Sequence, residues 1–373
     1  MSTVAIVSCE ELVSAASAAG KYGAEGLDDR FLYEALNKCG IRFDVTVWSR
    51  CQHPPPFHRM AVIRTAWDYA ASRTACFQFM NFCFGLEKAG TLLLNSWRLM
   101  RWNCDKRYIL QLSAAGIRTV PTLLLEGTPS SSGLLNMLAL ARGWTDVIVK
   151  PSISSGSRNT ARFDIADASQ LAAAQRLIDE ILSDAAMDHL AVPAAVLIQP
   201  FIPSVSTHGE VSVVCIEGRI CHAVCKKPRP NDFRSQSEFG SDVVLHHLSD
   251  EERKYVGAVL GACVQQAGVH TREMLIARID FVRAPETGPG SVEPLATTST
   301  LGATESDCCA ITNTSTECTC DSICPAHMHA GGEPFLLMEA ETIEPSCFFR
   351  YHPETAEVLA AAVKARLSDV SDQ

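Results

Sequence analysis

Short apolar runs alternate with stretches of helical period through the first hundred residues. Val4–Val7 reads as a strand. Asp28 and Asp29 then precede a helix whose Phe31, Leu32, Ala35, Leu36 and Cys39 recur on one face. Arg42–Val47 and Met60–Thr65 read as two further strands, joined through a proline-rich loop, HPPPF. The pattern predicts a small open α/β layer. In such sheets ligands gather beyond the carboxyl ends of the strands, and Arg64, Trp67, Asp68 and Tyr69 fall there. An arginine and two aromatics can hold a small carboxylate substrate. An Arg64–Asp68 ion pair under packed rings accounts for the same pattern.

Beyond about residue 100 the patterning becomes strand-rich, with long amphipathic helices. Val147–Lys150 reads as a strand followed by a Ser/Gly loop. Asp167-Ala-Ser-Gln170 has capping-box spacing and starts a helix bearing Leu171, Ala174, Ile178, Ile181 and Ala185. Strands follow at Ala195–Gln199, Glu210–Ile216 and Ile220–Lys227, the last two joined by a Glu217-Gly218 hairpin turn. Ser249 and Glu252 box the start of another helix, with Val256, Val259, Leu260, Cys263 and Ala267 inward and Gly268 closing it. A last helix is expected from about Pro353 to Leu367.

Two strands near the end depart from ordinary core patterning. In Leu275–Arg283 successive side chains alternate faces, so Arg278 and Asp280 point the same way. In Phe335–Thr342, Glu339 and Glu341 share a face. Burying ionised carboxylates is costly without a cation or hydrogen-bond donors. Three carboxylates and an arginine on neighbouring strands therefore suggest a magnesium site beside an anionic ligand. The exposed polar face of an antiparallel sheet is the alternative. Between these strands, residues 284–332 are rich in Thr, Ser, Gly and Pro without apolar periodicity, as in a disordered surface insertion. Its Cys308, Cys309, Cys318, Cys320, Cys324, His327 and His329 can bind zinc, but their spacing fits no closed four-ligand pattern well.

Composition narrows the function classes. A net charge of -10 argues against general nucleic-acid binding, though not against a local basic pocket. No run approaches 18 apolar residues, so no membrane span is expected, and the N-terminus lacks the basic region of a secretory signal. A cytoplasmic location follows as the default. Of the chain's 16 cysteines, those outside the insertion are scattered through apolar segments, as reduced buried thiols are.

Lys150 and the adjoining Ser154, Ser155 and Gly156 can cradle phosphate, although the spacing is not that of a helical phosphate loop. Gln199, Phe201 and Ile202 at a strand end can meet an adenine edge. Lys226 suits a phosphate-lined cleft better than a core. The ordered run DKRYIL, VIVKPSISSGSRNT, LIQPFIP, GEVSVVCIEGRICHAVCKKP, FRSQSEFG, ARIDF and LMEAETIEPS resembles the ATP-grasp superfamily. Within it, the similarity is to bacterial-type glutathione synthetase and related carboxylate–amine ligases, including cycloserine-forming synthetases. The resemblance spans about residues 100–367.

It implies an α/β N-terminal domain over 1–100, an α+β ATP-grasp fold over 101–283 and 333–370, and ATP held between two lobes of mainly antiparallel sheet. It further implies Lys106 and Lys150 as phosphate ligands, Gln199, Phe201 and Ile202 as the adenine hinge, and Glu210 near the ribose. Lys226 and Arg278 match the catalytic cations, and Asp280, Glu339 and Glu341 the ligands of two Mg2+ ions, with Mn2+ as a substitute. Glu341 replaces the asparagine commoner in glutathione synthetases. Arg64, Trp67, Tyr69 and Arg234 are substrate candidates. The implied reaction joins a carboxylate to an amine or related nucleophile through an acyl phosphate, in a possible homo-oligomer. A nucleotide-binding protein without ligase chemistry and a small-molecule kinase remain the alternatives.

Overall fold

The computed structural model describes residues 4–14, 28–51, 58–126, 143–183, 193–229, 232, 234, 240–285 and 334–371. All but the first two residues of the expected insertion, with its Cys/His cluster, lie outside these.

The N-terminal layer is a parallel sheet in the order β2-β1-β3-β4. Its strands are β1 (Val4–Ser8), β2 (Phe43–Val47), β3 (Met60–Thr65) and β4 (Leu92–Leu94). Helices α1 (Glu10–Ser14), α2 (Asp29–Lys38) and α3 (Arg73–Lys88) accompany it. β1 and β3 are apolar on both faces because both are covered, as a parallel sheet between helices requires. Two short helices, α4 (Trp97–Asn103) and α5 (Tyr108–Ala114), lead into the rest of the chain.

A four-stranded antiparallel sheet follows, ordered β5-β8-β6-β7. It comprises β5 (Leu123–Glu126), β6 (Asp146–Pro151), β7 (Ala161–Asp164) and β8 (Ala195–Pro200), with α6 (Ala168–Ser183) packed through Ala174, Ile178 and Ile181. Asp167 caps α6 by accepting from the Ser169 and Gln170 amides. Gln170 does not complete the expected box. Its side-chain oxygen accepts from Asp164 N instead, tying the helix start to β7.

After a one-turn helix, α7 (Ser204–Thr207), comes the largest sheet, β11-β10-β9-β12-β13. Its strands are β9 (Glu210–Ile216), β10 (Arg219–Lys227), β11 (Asp242–Leu245), β12 (Ile276–Arg283) and β13 (Phe335–Glu341). Glu217 and Gly218 both take positive φ (50° and 74°), the geometry of a tight hairpin between β9 and β10. Helices α8 (Asp250–Ala267) and α9 (Glu354–Ser371) complete the described chain, α9 running past the expected end at Leu367. Ser249 and Glu252 form the expected reciprocal box on α8, and Gly268 closes it in the left-handed conformation. No helix among the described residues is long and apolar enough to cross a membrane.

The two faces of this sheet differ. Val211, Val213, Cys215, Ala277, Ile279 and Phe281 pack against α8 and its neighbours. On the other face, Ile216, Val214, Val224 and Ile276 pack beneath α9 and the N-terminal layer. Further along those same strands, the same face carries Ser212, Lys226, Arg278 and Asp280. Position along the strand thus decides whether this face is core or cleft.

His222 sits at the seam with α9, bonded to Thr355 Oγ1 at 2.8 Å and stacked on His352. Burial and the neighbouring His352 push its imidazole down to about 4. A histidine depressed on folding contributes stability that is present above its unfolded pKa and is lost as pH falls from about 6.5 towards 4. Relative to His222→Asn, the wild type should lose about 2 kcal/mol between pH 7.5 and pH 5 in urea titrations. The difference measurement separates His222 from Asp28, whose buried carboxyl, pushed up to about 6, works in the opposite direction. A pH-independent difference would exclude this role.

Candidate active site

A cleft of about 790 Å³ opens between the two antiparallel sheets and reaches the N-terminal layer. This is the size range of small-molecule sites. Its base is built by the pairing of β12 with β13. Arg278 stands opposite Glu341 and Asp280 opposite Glu339, so an alternation legible in each strand separately becomes a four-residue charged patch. Arg278 donates to Asp280 at 2.8 Å and to Glu341 at 2.6 Å. Ser212 of β9 donates to Asp280 at 2.6 Å. Lys226 of β10 is bonded to Glu210 at 2.8 Å and lies 3.9 Å from Asp280.

Burial alone would raise the Asp280 pKa, but Arg278 and Lys226 hold its carboxyl down at about 2. Glu341 goes the other way, pushed up to about 8 because burial and the adjacent Glu339 and Asp280 outweigh Arg278. One oxygen from each of Asp280, Glu339 and Glu341 lies within 4.8 Å of the others. Three hard carboxylate donors so close repel one another, and the set fits a divalent cation of the magnesium type.

Two lysines face this triad from the other side. Lys106 follows α4 and bonds Glu339 at 3.1 Å, while also donating to Ser154 O. Burial would lower Lys106, yet Glu339 leaves it raised overall. Lys150, at the end of β6, has no carboxylate within ion-pair distance among the described residues. Burial, with Lys106 nearby, pushes its ammonium down to about 8 despite Glu339. A lysine held charged with difficulty and lacking a protein anion is suited to phosphate.

The Ser154–Ser157 turn bridges this group to the N-terminal layer. Gly156 and Ser157 both have φ of 55°, and Ser155 Oγ donates to Trp67 O at 3.0 Å. Arg158 donates to Ala70 O at 2.7 Å from the next position. On the far wall, Gln199, Phe201 and Ile202 line the cleft at the end of β8. Gln199 is held by a 2.9 Å bond to Thr122, and Arg162 stacks on the Phe201 ring at 3.6 Å.

The substrate candidates separate. Trp67, Tyr69 and Arg234 line the cleft, Arg234 being paired to Asp232 at 2.9 Å. Arg64 does not. It is 1% exposed, ion-paired to Asp29 at 2.8 Å, and donates to Pro345 O. Its expected alternative partner, Asp68, instead accepts from Trp48 Nε1. The strand-end argument misplaced Arg64 because β3 is covered on both faces, so this penultimate residue faces the buried carboxylate of Asp29. Sequence reasoning also passed over Glu344, which the chain brings into the cleft just beyond β13. The only signal for it was a third acid in the run EAETIEP.

Residues 127–281 match the prokaryotic glutathione synthetase ATP-grasp domain. The chain carries an ATP-grasp domain. Ahead of it, residues 4–95 match the N-terminal domain of D-cycloserine synthetase DcsG. The cycloserine biosynthesis protein DcsG of Streptomyces lavendulae is 26% identical over 273 residues, covering 70% of this chain and 83% of that protein. Glutathione synthetase of Parasynechococcus marenigrum (strain WH8102) is 29% identical over 177 residues, covering 47% and 50% respectively. Among solved structures, D-cycloserine synthetase DcsG superposes with a TM-score of 0.70 at 22% identity, covering 98% of this chain and 99% of that one. D-alanine–D-alanine ligase from Bacillus anthracis complexed with ATP gives 0.54 at 12% identity, with 99% and 96% covered. The ATP-grasp fold, the use of ATP and a divalent metal, and ligation of small-molecule carboxylates and amines are therefore those of this chain's relatives.

The charge network makes its own prediction for stability. Asp280→Asn strips Arg278 and Lys226 of a shared buried counter-charge and should cost about 3 kcal/mol or more. Glu339→Gln, at a partly exposed side chain with Lys106 as its ion pair, should cost less. Chemical denaturation without metal measures both, and the reverse order would show that the network is not centred on Asp280.

Proposed function

We propose that this protein is an ATP- and Mg2+-dependent ligase that activates a small carboxylic acid as an acyl phosphate and transfers the acyl group to an amine. The observation carrying this reading is the Asp280–Glu339–Glu341 triad facing Lys106 and Lys150 across a cleft between two antiparallel sheets. When bound, two magnesium ions, or manganese in their place, would neutralise phosphate charge and draw the phosphates into line. Asp280, Glu339 and Glu341 would hold them.

The chain's own residues account for the remaining steps. Lys150 and Lys106 bind the phosphate oxygens, and amides of the 154–156 turn lie over them. Gln199, Phe201 and Ile202 receive the adenine, with Glu210 on the ribose side. The substrate carboxylate oxygen attacks the γ-phosphorus as ADP leaves. Arg278 and Lys226, already fixed by Asp280 and Glu210, stabilise the charge spreading over the transferred group without having to reorganise. A neutral amine nitrogen then attacks the acyl carbon, phosphate departs, and the nitrogen loses its proton. No protein nucleophile is required.

The reading is tested by assaying ADP and phosphate together with Mg2+ and pooled acids and amines. Both products should appear only when an acid and an amine are present. ADP without phosphate would indicate a kinase, and nucleotide binding without turnover would favour a non-catalytic binder. Glu339→Gln should lower turnover on the order of 100-fold or more while its far-ultraviolet circular dichroism stays that of the wild type. Full metal-dependent activity in that variant would remove the metal assignment.

A further inference from the structure

β13 supplies two of the three clustered carboxylates, and strict alternation along the strand would aim them the wrong way. Phe335 and Leu337 point into the apolar cluster packed on α8. A period of two would send Glu339 and Glu341 to that same face. Both line the cleft instead. One extra residue causes the reversal. Phe281 pairs with Leu337 but Asp280 pairs with Glu339, so Met338 has no partner on β12. This bulge lets the adjacent Met338 and Glu339 both border the cleft, and it returns the Ala340 side chain to the apolar cluster.

A bulged strand at the end of a sheet is held by the ladder on one side only, and β13 is such a strand. Other parts of the chain complete its outer edge. The Leu337 amide donates to Arg118 O at 2.9 Å, and the Leu337 carbonyl accepts from Val120 N at 3.0 Å. The next outward-facing residue is Ala340, displaced by one position as the bulge requires. Its amide donates to Tyr108 Oη at 3.0 Å, and its carbonyl accepts from Asn103 Nδ2 at 2.7 Å. Asn103 Oδ1 also accepts from Thr342 N at 2.9 Å. Asn103 ends α4 and Tyr108 begins α5, and both are buried, so helices carry this clamp. Ala340 is thus held at its amide, its carbonyl and its side chain, with a cleft carboxylate on either side of it.

We infer that Tyr108 and Asn103 are positioning residues for the divalent metal: with the Met338 bulge, they fix Ala340 as the pivot from which Glu339 and Glu341 are aimed. The inference rests on the metal-dependent reading above and deepens it. Clustered carboxylates repel one another until a cation arrives, and a strand bulged between its ladder bonds can yield to that repulsion. Glu341 is restrained by Arg278 and Asp280 by both Arg278 and Ser212, whereas Glu339 has Lys106, a flexible partner. The clamp restrains the backbone where the side chains do not. Its hydrogen bonds go to backbone atoms, so removing them shifts the ligands and leaves the carboxylates themselves unchanged. Groups that orient metal ligands in this way set affinity without touching the ion.

The experiment titrates the full chain with Mn2+ in the presence of ADP and follows the bound ion by electron paramagnetic resonance. Tyr108→Phe removes one oxygen and keeps the ring. It should raise the Mn2+ concentration at half-saturation by about tenfold, the lower end for losing a group that orients metal ligands. ADP binding without metal, measured by calorimetry, should stay that of the wild type. In acid- and amine-dependent turnover the Mg2+ requirement should rise by a similar factor, with kcat at saturating Mg2+ retained. Tyr255→Phe is the control. It deletes another buried tyrosine hydroxyl, bonded to Arg118 O at 2.7 Å, and should leave metal affinity unchanged. Asn103→Ala releases the carbonyl side of Ala340 and repeats the test if Tyr108→Phe fails to fold. Wild-type metal affinity in a folded Tyr108→Phe or Asn103→Ala protein, or an equal loss in Tyr255→Phe, would overturn the inference while leaving the metal site intact. Failure of the wild type to bind Mn2+ with ADP would remove the metal reading, and this inference with it.

Discussion

The contact on which the site depends is the guanidinium of Arg278 between Asp280 on its own strand and Glu341 on the next. A buried arginine needs its anions at close range; the alternation within β12 supplies Asp280 and the β12–β13 register supplies Glu341. A slip of one residue would turn every one of these side chains onto the opposite face, into the space occupied by Ile279, Phe281 and Ala340. The apolar face therefore enforces the register, and the register assembles the charged face. Neither face could be specified without the other.

Two asparagines transmit that register to the rest of the molecule. Asn95, just after β4, bonds the backbones of Leu275, Ile276 and Thr342. Asn103, at the end of α4, bonds Ala340 O and Thr342 N. Each side chain satisfies backbone groups that would otherwise be buried without partners at the strand ends. The N-terminal layer is thereby fastened to the floor of the cleft, which brings Trp67 and the 154–158 turn to its rim.

The electrostatics follow a division of labour. Where a carboxylate has a full partner, as Asp280 has in Arg278, its pKa is held low and its position is fixed. Where a partner is missing, as at Lys150, burial penalises the charge and leaves a group suited to a phosphate. The cleft is best described by which charges the protein leaves uncompensated.

Much of this was legible in the chain. Period-two alternation placed Arg278 with Asp280 and Glu339 with Glu341, because a strand's faces are a local property. Capping residues marked the start of α8, since cap bonds span three positions. The order of lysines, glutamine and acids carried the family resemblance. What local pattern could not show was which neighbour each charge would find. Arg64 looked like a ligand-facing residue, but its partner Asp29 lies 35 positions away, and only the packing of α2 against β3 brings them together. Glu344 looked like one acid among several, and only the docking of its segment on Trp67, Arg64 and Arg278 withdrew it from water and left it unpaired. The sequence alone determined which residues share a face. The tertiary structure decided which of them are compensated, because Coulomb interactions and desolvation depend on distance in space and not along the chain.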